Sequence, residues 1–475
     1  TPTPTPTPPP TPTPTPTPTP SPTPPAPPDP PSHATPACPA SNSTTQFPTS
    51  PLGGRPYTGG SDAAGTPAPA THAYFAEGYT GADFQEYLAV ENPGPAQTLA
   101  VQYFFASGAP IVKSYQLPAT SRTTIDVNAD VGAGQSVSAY LCGQLPFLAE
   151  RPMYFNYQGR VTGGDTAVGS SSLATTFYFA EGMTGPGFDE YLTYLNPNDQ
   201  PTAITTTYYF QQGAPVVVDR TVAPQSRFTV HVNDPSEAGP GKEVSATVTS
   251  SRPILVERPM YFDYQGRTGG DVAMGARSPS DHLNLAEGHV GQGFDEYLAL
   301  FNPGSQDAHA SITYYLSSGG QVVTQLAVPA HARRTVHVND VLLPGSDDAV
   351  HVDSDQPIVV ERPMYFSYGP GWTGGHDGVA VDDSGLGTAF FLAEGYVAPN
   401  FDEYLAILNR NPAPSTVTIT FLLPDGSVRT VVRTVAARSR YTELVDSDLP
   451  PGTSSSIEVT STLPIMIERP MYFAY

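Results

Sequence analysis

Glu150-Arg-Pro-Met-Tyr-Phe155 recurs unchanged at residues 257–262, 361–366 and 468–473, and this hexapeptide sets the reading of the whole chain. Working outward from it, Ala-Glu-Gly stands at Glu77, Glu181, Glu287 and Glu394, roughly a hundred residues apart. Shortly after each comes FQEYL (84–88) or FDEYL (188–192, 294–298 and 401–405). An arginine then opens an alternating stretch: SRTTIDVN (121–128), SRFTVHVN (226–233), RRTVHVN (333–339) and SRYTELVD (439–446). The same motifs in the same order at near-constant spacing mark one unit written four times.

Inside a unit the apolar period is two. VQYFFA (101–106), ITTTYYF (204–210), HASITYYL (309–316) and TVTITFLL (416–423) alternate β-branched or aromatic residues with polar ones, and Gly, Pro, Asn and Asp punctuate them. No window sustains a helical period. About seven short strands per hundred residues predicts an antiparallel two-sheet sandwich. The paired cysteines and buried Trp of an antibody domain are missing, so only that architecture is expected. The expected fold is all-β: four tandem immunoglobulin/fibronectin-like β-sandwich repeats at 58–157, 158–264, 265–368 and 369–475. A linker with Cys38 (37–57) and a Thr/Pro-rich polyproline arm (1–36) precede them.

In that arm, proline fixes φ and removes the N–H donor, so helix and central strand are both unavailable. The residue before each proline is pushed to extended geometry, and the tract reads as polyproline II of roughly 95 Å. Three readings stay open: a disordered spacer, a rod docked on protein, and an O-glycosylated stalk. The last would place covalent glycans on Thr3, Thr5, Thr7, Thr11, Thr13, Thr15, Thr17 and Thr19.

Composition excludes whole classes of partner. With 21 Lys plus Arg against 44 Asp plus Glu, the net charge is −23, so the clustered cations that a nucleic-acid backbone needs are missing. Anionic membrane surfaces fail for the same reason, and no apolar run approaches the ~20 residues of a spanning helix, so membrane insertion is not expected. The chain starts at Thr1 with neither an initiator Met nor a charged-then-apolar leader, as expected of a processed or cropped protein.

The recurring charges invite a catalytic reading, two carboxylates acting as acid and base. Each motif set supplies arginines as well, and the set occurs in every unit, whereas an enzyme needs one site. The expectation is therefore structural ion pairs on or between the sheets, made by Glu77, Glu86, Arg122, Glu150 and Arg151, and by Glu181, Glu190, Arg227, Glu257 and Arg258. Calcium-loop spacing is too sparse in FDE, and neither HExxH, a Cys/His zinc spacing, a GxSxG elbow nor a Walker loop is present. No catalytic residue, metal ligand or cofactor is assigned.

The Ala-Glu-Gly…FDEYL…ERPMYF grammar, covering about residues 58–475, resembles tandem repeats of secreted surface proteins of high-GC bacteria. That resemblance implies export and a surface role and supplies no catalytic residue. In an exported chain the two cysteines, Cys38 and Cys142, are expected to form a disulfide. The repeat is also cut in phase. The first three units run on into a glycine-rich joint (NYQGRVTGGD, DYQGRTGGD, SYGPGWTGGHD), the fourth stops at Tyr475, and a joint-like leader around Arg55, Tyr57, Gly59 and Gly60 precedes the first. The sequence thus predicts that the leader of one molecule docks on Tyr472, Phe473 and Tyr475 of another, building a head-to-tail homopolymer. The expected function is a non-enzymatic extracellular structural protein, a subunit of a cell-surface filament or stalk. The alternative is a multivalent adhesion or glycan-binding surface protein.

Overall fold

The computed structural model describes Cys38 and residues 57–369 and 371–475. The arm threonines and Arg55 lie outside the described residues. What is described is nearly all β, organised in several curled sheets, with one short α-helix (Val127–Val131) and three 3-10 turns.

Each ERPMYF sits in the second half of a long strand: Val137–Tyr157, Ser245–Tyr264, Ser346–Tyr368 and Ser456–Ala474. The first of these shows the scheme. Its leading half pairs with Ala70–Phe75 and Gln97–Phe105, and its trailing half with Phe84–Asn92 and Val161–Val168. One strand therefore joins two layers, and Leu88, Val101, Tyr103, Val137 and Leu141 are buried together with the side chains around them. The same pairing scheme holds at the other three copies of the motif.

Proline in a strand requires an interruption, because it cannot donate to the ladder. Pairing with the FDEYL strand accordingly skips: Glu190 faces Met260, and the next pair is Thr193 with Glu257, leaving Arg258-Pro259 outside the ladder. The same gap recurs around Pro152, Pro363 and Pro470. The arginine beside each proline, paired only with the joint strand, leaves the sheet face as any strand side chain does.

The glycine-rich joints are strands, and each belongs by pairing to the sheet of the unit before it: Val161–Val168, Arg267–Met274 and Trp372–Val379. Boundaries after 157, 264 and 368 therefore separate strands that share a sheet. The reason for the glycines is close packing. A Cβ added at Gly59 would lie 3.1 Å from Gly163 Cα, one at Gly163 3.3 Å from Gly269 Cα, one at Gly269 3.0 Å from Gly374 Cα, and one at Gly374 3.1 Å from Gly59 Cα. These contacts run in a closed cycle, so the joint strands surround a common axis.

The leader strand closes that cycle. Thr58–Ala64 pairs antiparallel with Glu468–Ala474 along its whole length, and Tyr57 and Tyr475 exchange backbone hydrogen bonds of 2.5 and 2.6 Å. Rings follow the same order: Tyr157 stacks on Tyr261, Tyr264 on Tyr365, Tyr368 on Tyr472, and finally Tyr475 on Tyr154, with centroids 4.0 to 4.5 Å apart. The complementarity of Tyr57, Gly59 and Gly60 for Tyr472, Phe473 and Tyr475, expected between molecules, is met here within one chain. Arranging the units about an axis brings the last strand beside the first, and a partner tied into the same chain outcompetes a free one. Cys38 and Cys142 form the expected disulfide, with Cα atoms 5.5 Å apart.

Candidate functional site: the ion-pair cycle and the axial cavity

The arginine beside each proline reaches across to the neighbouring unit. Arg151 Nη1 donates to the Glu77 carbonyl of its own unit at 2.6 Å and to Glu257 of the next at 2.9 Å. Arg258 does the same with the Glu181 carbonyl (2.5 Å) and Glu361 (2.6 Å). Arg362 pairs with Glu468 at 2.9 Å, and Arg469 returns to Glu150 at 2.8 Å. Each of these glutamates also accepts backbone N–H groups of the Ala-Glu-Gly turn in the unit before it. Glu361 takes Ala180 N (2.9 Å) and Glu181 N (3.0 Å), and Glu150 takes Ala393 N (3.0 Å) and Glu394 N (3.1 Å).

A second cycle lies beside the first. Arg227 binds Glu77 at 2.7 Å, Arg333 binds Glu181 at 2.8 Å, Arg440 binds Glu287 at 2.5 Å, and Arg122 binds Glu394. Arg151, Arg258, Arg333, Arg362 and Arg469 are all fully buried. Buried pairs of this kind repay little net stability, because desolvation offsets the Coulombic gain, but removing one partner is costly. Their work here is to fix which unit lies against which, and in what register.

Glu86 and Glu190, also expected in ion pairs, belong elsewhere. Both are buried and, among the described residues, neither has a salt-bridge partner. Their carboxyls fill the space over the glycine of the Ala-Glu-Gly turn: a Cβ on Gly78 would fall 2.5 Å from Glu86 Oε1, and one on Gly182 2.7 Å from Glu190 Oε1. Burial pushes Glu86, Glu190 and the equivalent Glu403 up to about 8, against the pull of the nearby Arg151, Arg258 and Arg469 guanidiniums. These are neutral acids. The letter Glu is the same in both motifs, yet the Glu-Arg-Pro glutamates meet a guanidinium directly and these do not.

This has a pH consequence. Unfolded, these three carboxyls ionise near the ordinary 4.5, whereas folded they keep their protons up to about 8. The unfolded state binds fewer protons across that window, so stability falls as pH rises through it, by at most about 1.4 kcal/mol per pH unit per group. Urea midpoints are expected to rise as pH is lowered from 8 to 5.5. Replacing Glu86, Glu190 and Glu403 together by Gln should flatten the slope, and an unchanged slope in that triple variant would contradict the assignment.

Around the axis, joint aspartates complete the network. Arg362 donates to Asp62 at 2.5 Å and Arg258 to Asp377, while Asp271 accepts the Asp377 N–H at 2.9 Å. Burial pushes Asp271 up to about 6 against the Arg258 charge, and Asp62 and Asp377 are also raised, by burial first. Next to them a cavity of about 430 Å³ is lined largely by small apolar groups, including Ala64, Ala167, Ala273, Val379 and Ala380. Sequence reading treated the joints as connectors and missed these aspartates. The signal was the recurrence of Thr-Gly-Gly with an acid close behind it.

No curated protein matches the chain. Among solved structures, Thermotoga maritima 1070 is 18% identical, with a TM-score of 0.21, over 22% of this chain and 93% of its own. The Anabaena sensory rhodopsin transducer is 32% identical, with a TM-score of 0.17, over 18% of this chain and 95% of its own. A tetra-tandem repeat from the extending region of a large adhesion protein is 12% identical, with a TM-score of 0.11, over 85% of this chain and 99% of its own. Residues 162–362 match a family of unknown function, DUF5719, and that stretch is what the chain shares with it.

Proposed function

We propose that the chain is a non-enzymatic structural protein of the cell exterior. In this reading four immunoglobulin/fibronectin-like repeats close into one rigid head, carried on residues 1–36 as an extended, O-glycosylated polyproline rod. The supporting observation is the closing strand, Thr58–Ala64 on Glu468–Ala474, together with the buried ion pairs that join the last unit to the first, Arg469 with Glu150 and Arg122 with Glu394. Each Glu-Arg-Pro carboxylate meets a neighbouring guanidinium and accepts backbone N–H from an Ala-Glu-Gly turn, which suits locking and not proton transfer. Export accords with the Cys38–Cys142 disulfide. No helix among the described residues is long and apolar enough to cross a membrane. Head-to-tail filaments through the leader would require that strand to be exchanged between molecules, so the reading places the protein as a discrete head and not as a filament subunit.

Electron microscopy and mass measurement of the natural protein test this. Single compact heads bearing a thin arm are expected, with a mass above the 50.2 kDa of the sequence and heterogeneous. Ordered filaments, or a mass matching the bare sequence, would overturn the assembly and the glycosylation respectively.

A further inference from the structure

We propose that His282, His351 and Asp353 form a binding site for a divalent first-row transition metal ion, with two imidazole nitrogens and one carboxylate oxygen as ligands. The three come together by register. His282 on Ser280–Leu285 lies opposite Asp353 on Ser346–Tyr368, and His351 precedes Asp353 by two residues on that strand. Side chains two apart on a strand share a face, so all three project from one side of the sheet. His282 Nδ1 lies 2.8 Å and His351 Nε2 3.0 Å from the same Asp353 Oδ1, and one ligand atom from each residue falls within 4.8 Å of the others. Ligand atoms around a tetrahedral zinc stand about 3.3 Å apart, given zinc–ligand bonds of about 2.0–2.1 Å. Opening this cluster to that size needs only small rotations of His282 and Asp353, whose side chains are each 50% exposed.

The support behind the cluster is what a metal site needs. His351 is buried, and its Nδ1 faces the Leu283 carbonyl at 3.1 Å and Asn284 Oδ1 at 3.0 Å. Those acceptors hold the proton on Nδ1 and leave the Nε2 lone pair directed at the site. Asn284 is held in turn by Asp383 (3.0 Å) and Arg410 (2.7 Å), and the Arg410 charge is met by Asp383. The exposed half of the cluster leaves room for water or a ligand from outside.

The fold does not call for these residues. At the matching positions stand Thr176, Thr247 and Thr249 in one unit and Ala389, Glu458 and Thr460 in another. In the first unit they are His72, Tyr140 and Cys142, the last committed to the disulfide. Motif scanning passes over the cluster because its ligands come from two strands far apart in sequence.

Zinc titration of the chelator-stripped full chain by calorimetry near neutral pH is the test. One zinc per chain is expected, with affinity at least tenfold lower in His282→Ala and in Asp353→Asn, both at exposed positions that leave the core intact. His309→Ala, which removes a separate exposed histidine paired with Asp355, should bind zinc as the parent does. Cobalt substitution should give the intense visible bands of a four-coordinate site in the parent and not in His282→Ala. No stoichiometric zinc binding, or equal affinity in the parent and both cluster variants, would overturn the proposal.

Discussion

Arg258→Ala is expected to lower the stability of the protein by about 3–5 kcal/mol, the usual cost of removing one member of a buried pair. The substitution takes donors from Glu361, Asp377 and the Glu181 carbonyl at once. Two carboxyls then remain in a site that water does not reach. Since a typical domain has only about 5–15 kcal/mol in hand, the urea midpoint should fall steeply. Pairing the change with Glu361→Gln should recover part of the loss, because the second substitution removes a charge left without a partner. Near-neutral behaviour of Arg258→Ala alone would mean that the cycle carries no weight.

Excising residues 57–64 while leaving Cys38 in place is expected to make the protein associate more strongly. The trailing half of Ser456–Ala474 would lose its edge partner along seven paired positions. It would then present unpaired backbone donors and acceptors flanked by Phe473 and Tyr154, rings that now share a cluster with Tyr57 and Phe401. An unpaired apolar strand edge is a template for pairing with another chain. Size-exclusion chromatography with light scattering should show dimers or larger open species whose proportion grows with concentration. A strictly monomeric product with an unchanged denaturation midpoint would rule out the closing role of this strand.

Much of this was readable from the residues alone. Alternation in stretches such as Thr202–Tyr209 dictates a strand with one buried face, and the burial there does alternate. The cysteine pair followed from its even count. The leader was legible as complementary to the end of the last unit. Complementarity does not say whether two surfaces meet within a chain or between chains, however; that depends on how far the array curves, which no local pattern encodes. Glu86 and Glu257 show a second limit. Both are buried glutamates in repeated motifs of this chain, yet Arg151 reaches Glu257 at 2.9 Å, while burial pushes Glu86 up to about 8. His282 and His351 show a third: a ligand set built across a ladder becomes visible only once the register is known.

The position of the disulfide matters when the chain is pulled from the residues before Cys38. Tyr57 and Tyr475 lie side by side at one end of an antiparallel pair, so tension applied directly to those two ends would peel the closing strand one hydrogen bond at a time. Cys38 comes before Tyr57 in the chain and is bolted to Cys142 in the first long strand. A load entering at Cys38 therefore passes through a covalent bond into Val137–Tyr157 and bypasses the seam between Thr58–Ala64 and Glu468–Ala474. Under reducing conditions the same load falls on the seam itself.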